Sequence, residues 1–395
     1  MKEDTKIIHG GGKTGKAHGI VNTPVYRAST VVFPDTEEMI TASDGALKQQ
    51  KKVLFYGRKG TPTTWTLEEA ITLLEQGHDT VLSPSGLSAV TTALLAFLKT
   101  GDHLLMTDSV YEPTRHFCEG TLARFGVETT YYDPLVGSGV ADLMQPNTTV
   151  IFTESPGSHT FEVQDLPAIS EAAHAGGAVV LIDNTWASPL FHKPLTLGAD
   201  VSIHACTKYI VGHSDALMGS MTAVEQHFGQ LYEARQQLGV AVGPDDAYLA
   251  TRGLRTMGVR LRQHQESTME IVRWLQKRSE VKRVLYPALE DDPGHAIWKR
   301  DFLGASGLFG VVLNETSKEA VTAMIDGMQL FSLGYSWGGF ESLMCSSTPK
   351  RVRTATDWSE PEPGLRIHIG LEDPEDLLAD LEAGLDRFNA VLKGR

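Results

Sequence analysis

From residue 67 onward, short apolar runs alternate with segments of helical period, and this alternation organises most of the chain. The spacing predicts helices over 67–75, 87–98, 114–125 and 166–175. Strands are predicted over 79–82, 103–106, 127–132, 149–153, 179–182 and 201–204. Short apolar strands between helices imply an α/β fold with a mostly parallel sheet covered on both faces. In such sheets ligands bind off the carboxyl ends of the strands. Helical spacing then dominates 248–277, and a second strand-and-helix set runs from about 281 to the end. Residues 1–60 show little period and read as an extended arm with one helix near 36–50, an arm expected to lie against a neighbouring subunit. The expected organisation is therefore an arm (1–60), a large domain (61–255) and a smaller C-terminal α/β domain (256–395), hinged through a long helix.

Composition narrows the function classes. The net charge of −14 argues against nucleic acid as a partner, because phosphate binding needs a basic surface. With no apolar run long enough to span a membrane and no apolar core near the N-terminus, the chain reads as cytoplasmic. Its three cysteines are too few and too dispersed for a disulfide framework or a zinc cluster, so no metal is expected.

Candidate chemistry concentrates at two strand ends. The run VVLIDNTW closes an apolar strand on Asp183, and the next strand, VSIHA, leads into Thr207-Lys208. An acid on one strand end and a lysine just past the next face one crevice. That pair suits pyridoxal phosphate, whose aldehyde needs a lysine and whose ring nitrogen needs an acid. Taken singly, an Asp after a strand is more often a turn residue, and a Lys is more often a solvated charge. Further residues support the combination. Ser85-Gly86-Leu87 opens a helix whose N-terminus suits a phosphate, Tyr56 and Arg58 supply a phenol and a guanidinium, and Tyr111 can stack on a planar ring. The N-terminal Gly10-x-Gly12-x-x-Gly15 lacks the βαβ context of a dinucleotide fingerprint and is set aside.

The segments FYGRKGTPT, LSPSGLSAV, DSVYEPTR, LIDNTW, CTKYIVGHSDALMG, YSWGGFESL and LRIHIGLED resemble the cystathionine-metabolising branch of fold-type-I pyridoxal-phosphate enzymes over nearly the whole chain. The resemblance implies Lys208 as the Schiff-base lysine, Asp183 as partner of the ring nitrogen, and Gly86, Leu87 and Thr207 as phosphate ligands. It implies Tyr56 and Arg58 acting from a neighbouring subunit of a homo-oligomer, built as a tetramer of paired dimers. Tyr111 would stack and take part in proton transfer, and Arg366 with Ser336 would hold the substrate carboxylate. Tyr335 and Trp337 resemble the β-lyases of the family, implying β-elimination of cystathionine in methionine biosynthesis. A γ-lyase, a γ-synthase or a broader cysteine-S-conjugate lyase remain alternatives. Three positions depart from the common pattern: Ala205, Glu112, and Lys59, where an Arg would help select the substrate's distal carboxylate.

Overall fold

The computed structural model describes residues 1–12, 19–47 and 52–394. In chain order it begins with α1 (Glu3–His9), α2 (Thr36–Leu47) and α3 (Pro62–Glu75), followed by β1 (Asp79–Ser83), α4 (Gly86–Phe97) and β2 (His103–Thr107). Next come α5 (Glu112–Phe117), β3 (Glu128–Tyr132), β4 (Thr148–Glu154), α6 (Leu166–Ala175), β5 (Val179–Asp183), α7 (Ser188–Phe191) and β6 (Val201–His204). Then follow β7 (Gly219–Ala223), α8 (Glu225–Gln237) and the long α9 (Pro244–Leu275). The remainder is β8 (Val281–Leu285), α10 (His295–Asp301), β9 (Leu308–Leu313), α11 (Lys318–Asp326), β10 (Ser332–Leu333), β11 (Leu343–Ser347), β12 (Gly364–His368) and α12 (Pro374–Lys393).

The larger sheet has seven strands in the order β1-β7-β6-β5-β4-β2-β3. Strands β2 to β6 are parallel; β2, β4, β5 and β6 carry apolar runs buried under helices on both faces, whereas the edge strand β3, ETTYY, is only partly buried. Strand β7 was not evident in sequence. It runs antiparallel between β1 and β6, and its small, polar GSMTA is nonetheless fully buried. The second sheet, β10-β11-β12-β9-β8, has five strands, antiparallel except for the β10–β11 pair. One apolar cluster runs from Ile7 and Leu67 through Leu254 and Leu261 of α9 to Phe309 and Phe388, while strands β2 to β7 bury their side chains in two further clusters.

Two expectations need correction. The arm is not wholly extended before its predicted helix, because α1 folds against α3 and α9 of the same chain through buried Ile7. Arg255 of α9 donates to the Ile7 carbonyl at 2.5 Å. The predicted helix over 36–50 is present as α2, its last three residues lying outside the described set, as do residues 13–15 of the N-terminal glycine motif. Helix 114–125 also breaks after Phe117 into a wide turn over Cys118–Leu122. Among the described residues no helix is long and apolar enough to cross a membrane.

Candidate active site

The carboxyl ends of β4, β5 and β6 converge on a cavity of about 640 Å³, walled on its far side by β11, β12 and the loops beside them. Lys208 reaches it from the turn after β6. Its Nζ donates to Ser336 Oγ at 2.6 Å and stands 5.3 Å from the centre of the Trp337 ring. Burial, followed by the Arg366 guanidinium, lowers its ammonium to about 8 against the upward pull of Asp183. A substantial fraction of this amine is therefore neutral near physiological pH, as a nucleophile or general base requires.

Asp183 closes β5 on the cavity floor. Its Oδ1 accepts from the Thr185 backbone N–H at 2.9 Å and from the Thr185 hydroxyl at 2.5 Å. The Ala205 N–H in turn donates to that hydroxyl at 2.9 Å, which ties the carboxylate to the lysine's own turn. Glu154 closes β4 in direct register with Asp183. It accepts the Tyr111 N–H at 2.7 Å and the Ser158 hydroxyl at 2.5 Å. Burial and the Asp183 charge raise Glu154, while burial raises Asp183 against the pull of Thr185, His204 and Lys208. A cation brought against this pair of carboxylates would be strongly favoured.

The anion end of the site is the N-terminus of α4. Ser85 caps it, accepting the Ser88 N–H at 3.1 Å, and leaves the amides of Gly86 and Leu87 without an intrahelical acceptor at the cavity wall. A Cβ at Gly86 would stand 2.4 Å from the Ala205 Cβ, so glycine lets the helix approach the lysine turn. Thr207 also lines the cavity, with its hydroxyl donating to the Met218 carbonyl at 3.2 Å and accepting the Met218 N–H at 3.0 Å.

Tyr111, Tyr335, Ser336, Trp337 and Arg366 all border the same space. Burial and then the Glu154 and Asp183 charges raise the Tyr111 phenol, which favours stacking over proton acceptance. Tyr335 is 93% exposed at the rim, whereas Trp337 packs on Tyr209 with ring centres 5.4 Å apart. Tyr56, Arg58 and Lys59 do not reach their own chain's cavity. Arg58 donates to the carbonyl and side chain of Gln236, and Tyr56 bridges to Thr30. Burial and the nearby Arg58 and Arg235 lower the Lys59 ammonium.

Residues 4–386 match the family model for Cys/Met metabolism PLP-dependent enzymes. The chain belongs to that family. Relatives in the Cys/Met-metabolism family include cystathionine beta-lyases of Salmonella typhimurium (45% identical, covering 98% of each chain) and Escherichia coli (44%, 98% of this chain and 99% of the relative). Cystathionine gamma synthase from Xanthomonas oryzae pv. oryzae, solved with aminoacrylate and cysteine, superposes with a TM-score of 0.89 at 33% identity, covering 99% of each chain. The family cofactor is pyridoxal phosphate. A lysine held at about 8, a floor of buried carboxylates and free amides at a helix N-terminus fit its aldehyde, ring nitrogen and phosphate.

Sequence reasoning missed Glu154 and Thr185. Glu154 ends a predicted strand as Asp183 does, so the same strand-end criterion would have found it. Thr185 stands within LIDNTW, but only its hydrogen bonds reveal that it holds Asp183.

Gly338 offers a direct probe of how Lys208 is held. Its φ is +86°, its N–H donates to His368 Nε2 at 3.1 Å, and an added Cβ would stand 3.0 Å from the Lys208 Cα. Gly101 has a similar φ of +89° with nothing within 4 Å. Both Gly→Ala variants carry the backbone strain, roughly 1 kcal/mol or more. Only Gly338→Ala should also displace the lysine and lower kcat, on the order of 100-fold. Equal kcat values for the two variants would refute this reading.

Proposed function

We propose that this chain is a pyridoxal-phosphate-dependent carbon–sulfur lyase that cleaves L-cystathionine by β-elimination to homocysteine, pyruvate and ammonia. The observation that carries the reading is the convergence of Lys208, Asp183 and Arg366 on one cavity, with Trp337 beside the lysine. The Salmonella and Escherichia relatives, named cystathionine beta-lyases, support the same choice.

Lys208 would hold the cofactor, Asp183 would face its ring nitrogen, and Gly86, Leu87 and Thr207 would take its phosphate. When bound, the cofactor supplies an electron sink for the pair left at Cα. Arg366 fixes the substrate α-carboxylate as a guanidinium fork. Lys208, as a neutral amine, removes the Cα proton and can return one to the departing thiolate. Ser336, already within hydrogen-bond distance of Nζ, steers that amine, and Trp337 keeps water from it. Glu154 sets the Tyr111 backbone and thereby the ring that stacks on the cofactor.

The exposed apolar residues of the arm, among them Val21 and Val32 at 87% and 88%, support an association that covers them. A homo-oligomer would do so and could bring Tyr56, Arg58 and Lys59 of each copy to the other's cavity. The deciding experiment is incubation of the cofactor-loaded enzyme with L-cystathionine and identification of the keto acid. Pyruvate is expected. 2-Oxobutyrate would mean γ-cleavage and would sink the β-lyase reading.

A further inference from the structure

The cavity has a second charged pole that the proposed chemistry does not use. Arg351 and Glu112 both line it, and Arg351 Nη2 donates to both Glu112 oxygens, at 2.8 and 2.7 Å. His159 also lines the wall and feels the charges of Arg366, Glu112 and Arg351 together, so it stands among the inner guanidinium and the outer pair. Its Nδ1 meets Ser347 Oγ at 3.1 Å, and burial pushes its ring down to about 4, which leaves the imidazole neutral.

The Arg351 side chain is 68% exposed, and an ion pair so exposed contributes little to stability, about 0–1 kcal/mol. The structure beneath it is much more elaborate than that contribution explains. Asp108, fully buried just beyond β2, accepts the backbone N–H groups of Thr354, Ala355 and Thr356 and the hydroxyls of Thr354 and Thr356. It also accepts from Arg115 at 2.6 Å. Arg353 adds bonds to Thr160 at 2.9 Å and Glu162 at 2.6 Å. This buried clamp joins the large sheet to the strap carrying Arg351, which stands two residues before Arg353. Glu112 opens α5 next to Tyr111, whose own N–H is held by Glu154. Both members of the outer pair are therefore fixed to the cavity wall.

We propose that Glu112 and Arg351 recognise the far amino-acid group of a thioether carrying an amino acid at each end, Arg351 taking its carboxylate and Glu112 its ammonium. This rests on the β-lyase reading above. A zwitterion is the ligand that such a pair can exchange for itself without stranding either charge, because each group leaves one opposite charge for another. A neutral alkyl group at the same place offers no such exchange. The pair thus selects for the second amino-acid end, a task separate from the inner Arg366.

The test compares kcat/KM for pyruvate release from L-cystathionine and from S-ethyl-L-cysteine, in wild type, Arg351→Ala and Glu112→Gln, each cofactor-loaded. The cystathionine-to-S-ethylcysteine preference should fall roughly 10- to 100-fold in each variant, chiefly through the KM for cystathionine. Equal losses on both substrates would mean a merely structural pair and would overturn the proposal, as would an unchanged preference. If wild type releases pyruvate from S-ethylcysteine but not from cystathionine, this proposal fails while β-elimination stands. If it releases pyruvate from neither, the β-lyase reading fails first and takes the proposal with it.

Discussion

Replacing Lys208 by Ala abolishes borohydride-fixable attachment of pyridoxal phosphate and lowers turnover by roughly 10⁴-fold, the upper end of what a general base contributes. The size of the effect follows from the residue's two tasks, anchoring the cofactor and moving the Cα proton. Among the described residues of the chain, Lys208 is the lysine that lines the cavity. A pH series on the wild-type apoenzyme tests the same residue without turnover. Only the neutral amine attacks an aldehyde, and burial with Arg366 holds Lys208 at about 8. The rate of cofactor reloading should rise with pH with its midpoint near 8, rather than near the ordinary lysine range about two pH units higher. Arg366→Ala removes a cation that lowers Lys208, so its midpoint should move upward. Borohydride-stable attachment in Lys208→Ala, or a wild-type midpoint near the ordinary lysine value, would contradict the assignment.

What the sequence made legible was what depends on local pattern. Strands such as His103–Thr107 and Val179–Asp183 are buried on both faces, and their apolar runs announce this. Strand β7 is equally buried but carries Ser and Thr. Its Thr222 pairs with Thr80 at 2.8 Å and Thr80 with Thr72 at 2.7 Å, and its small polar residues leave no apolar run to mark it. The following helix α8 is polar overall, with Phe228, Leu231, Tyr232 and Arg235 buried along one face. The site divides in the same way. Lys208 and Asp183 could be found because each follows one strand's end. Arg351 belongs to the cavity only because the strap after β11 returns to Asp108, about 246 positions away in sequence, and no local pattern records that return. The departure at Ala205 acquires a physical sense only in the fold, where its N–H supports Thr185 and its Cβ packs against the Gly86 turn.

Asp183→Asn is the complementary experiment, because it changes charge and leaves the hydrogen bonds that hold the side chain nearly intact. Both Thr185 donors reach Oδ1, and an amide oxygen can accept them as the carboxylate does. The variant should therefore fold and retain pyridoxal phosphate. Turnover should nevertheless fall on the order of 10²–10³-fold, the loss typical when a preorganised electrostatic partner is removed. The carboxylate's charge keeps a proton on the ring nitrogen, and an amide without charge does not. Two titrations make the cause visible. Asp183 raises Lys208, so its removal should shift the apoenzyme reloading midpoint below about 8. Asp183 also raises Glu154, so Glu154 should ionise at lower pH in the variant. Wild-type turnover with an unmoved midpoint would show that Asp183 exerts no charge on the lysine or the cofactor. Loss of cofactor binding would instead show that the Asp183 charge is needed to hold the cofactor, since the hydrogen bonds to Thr185 survive in the variant.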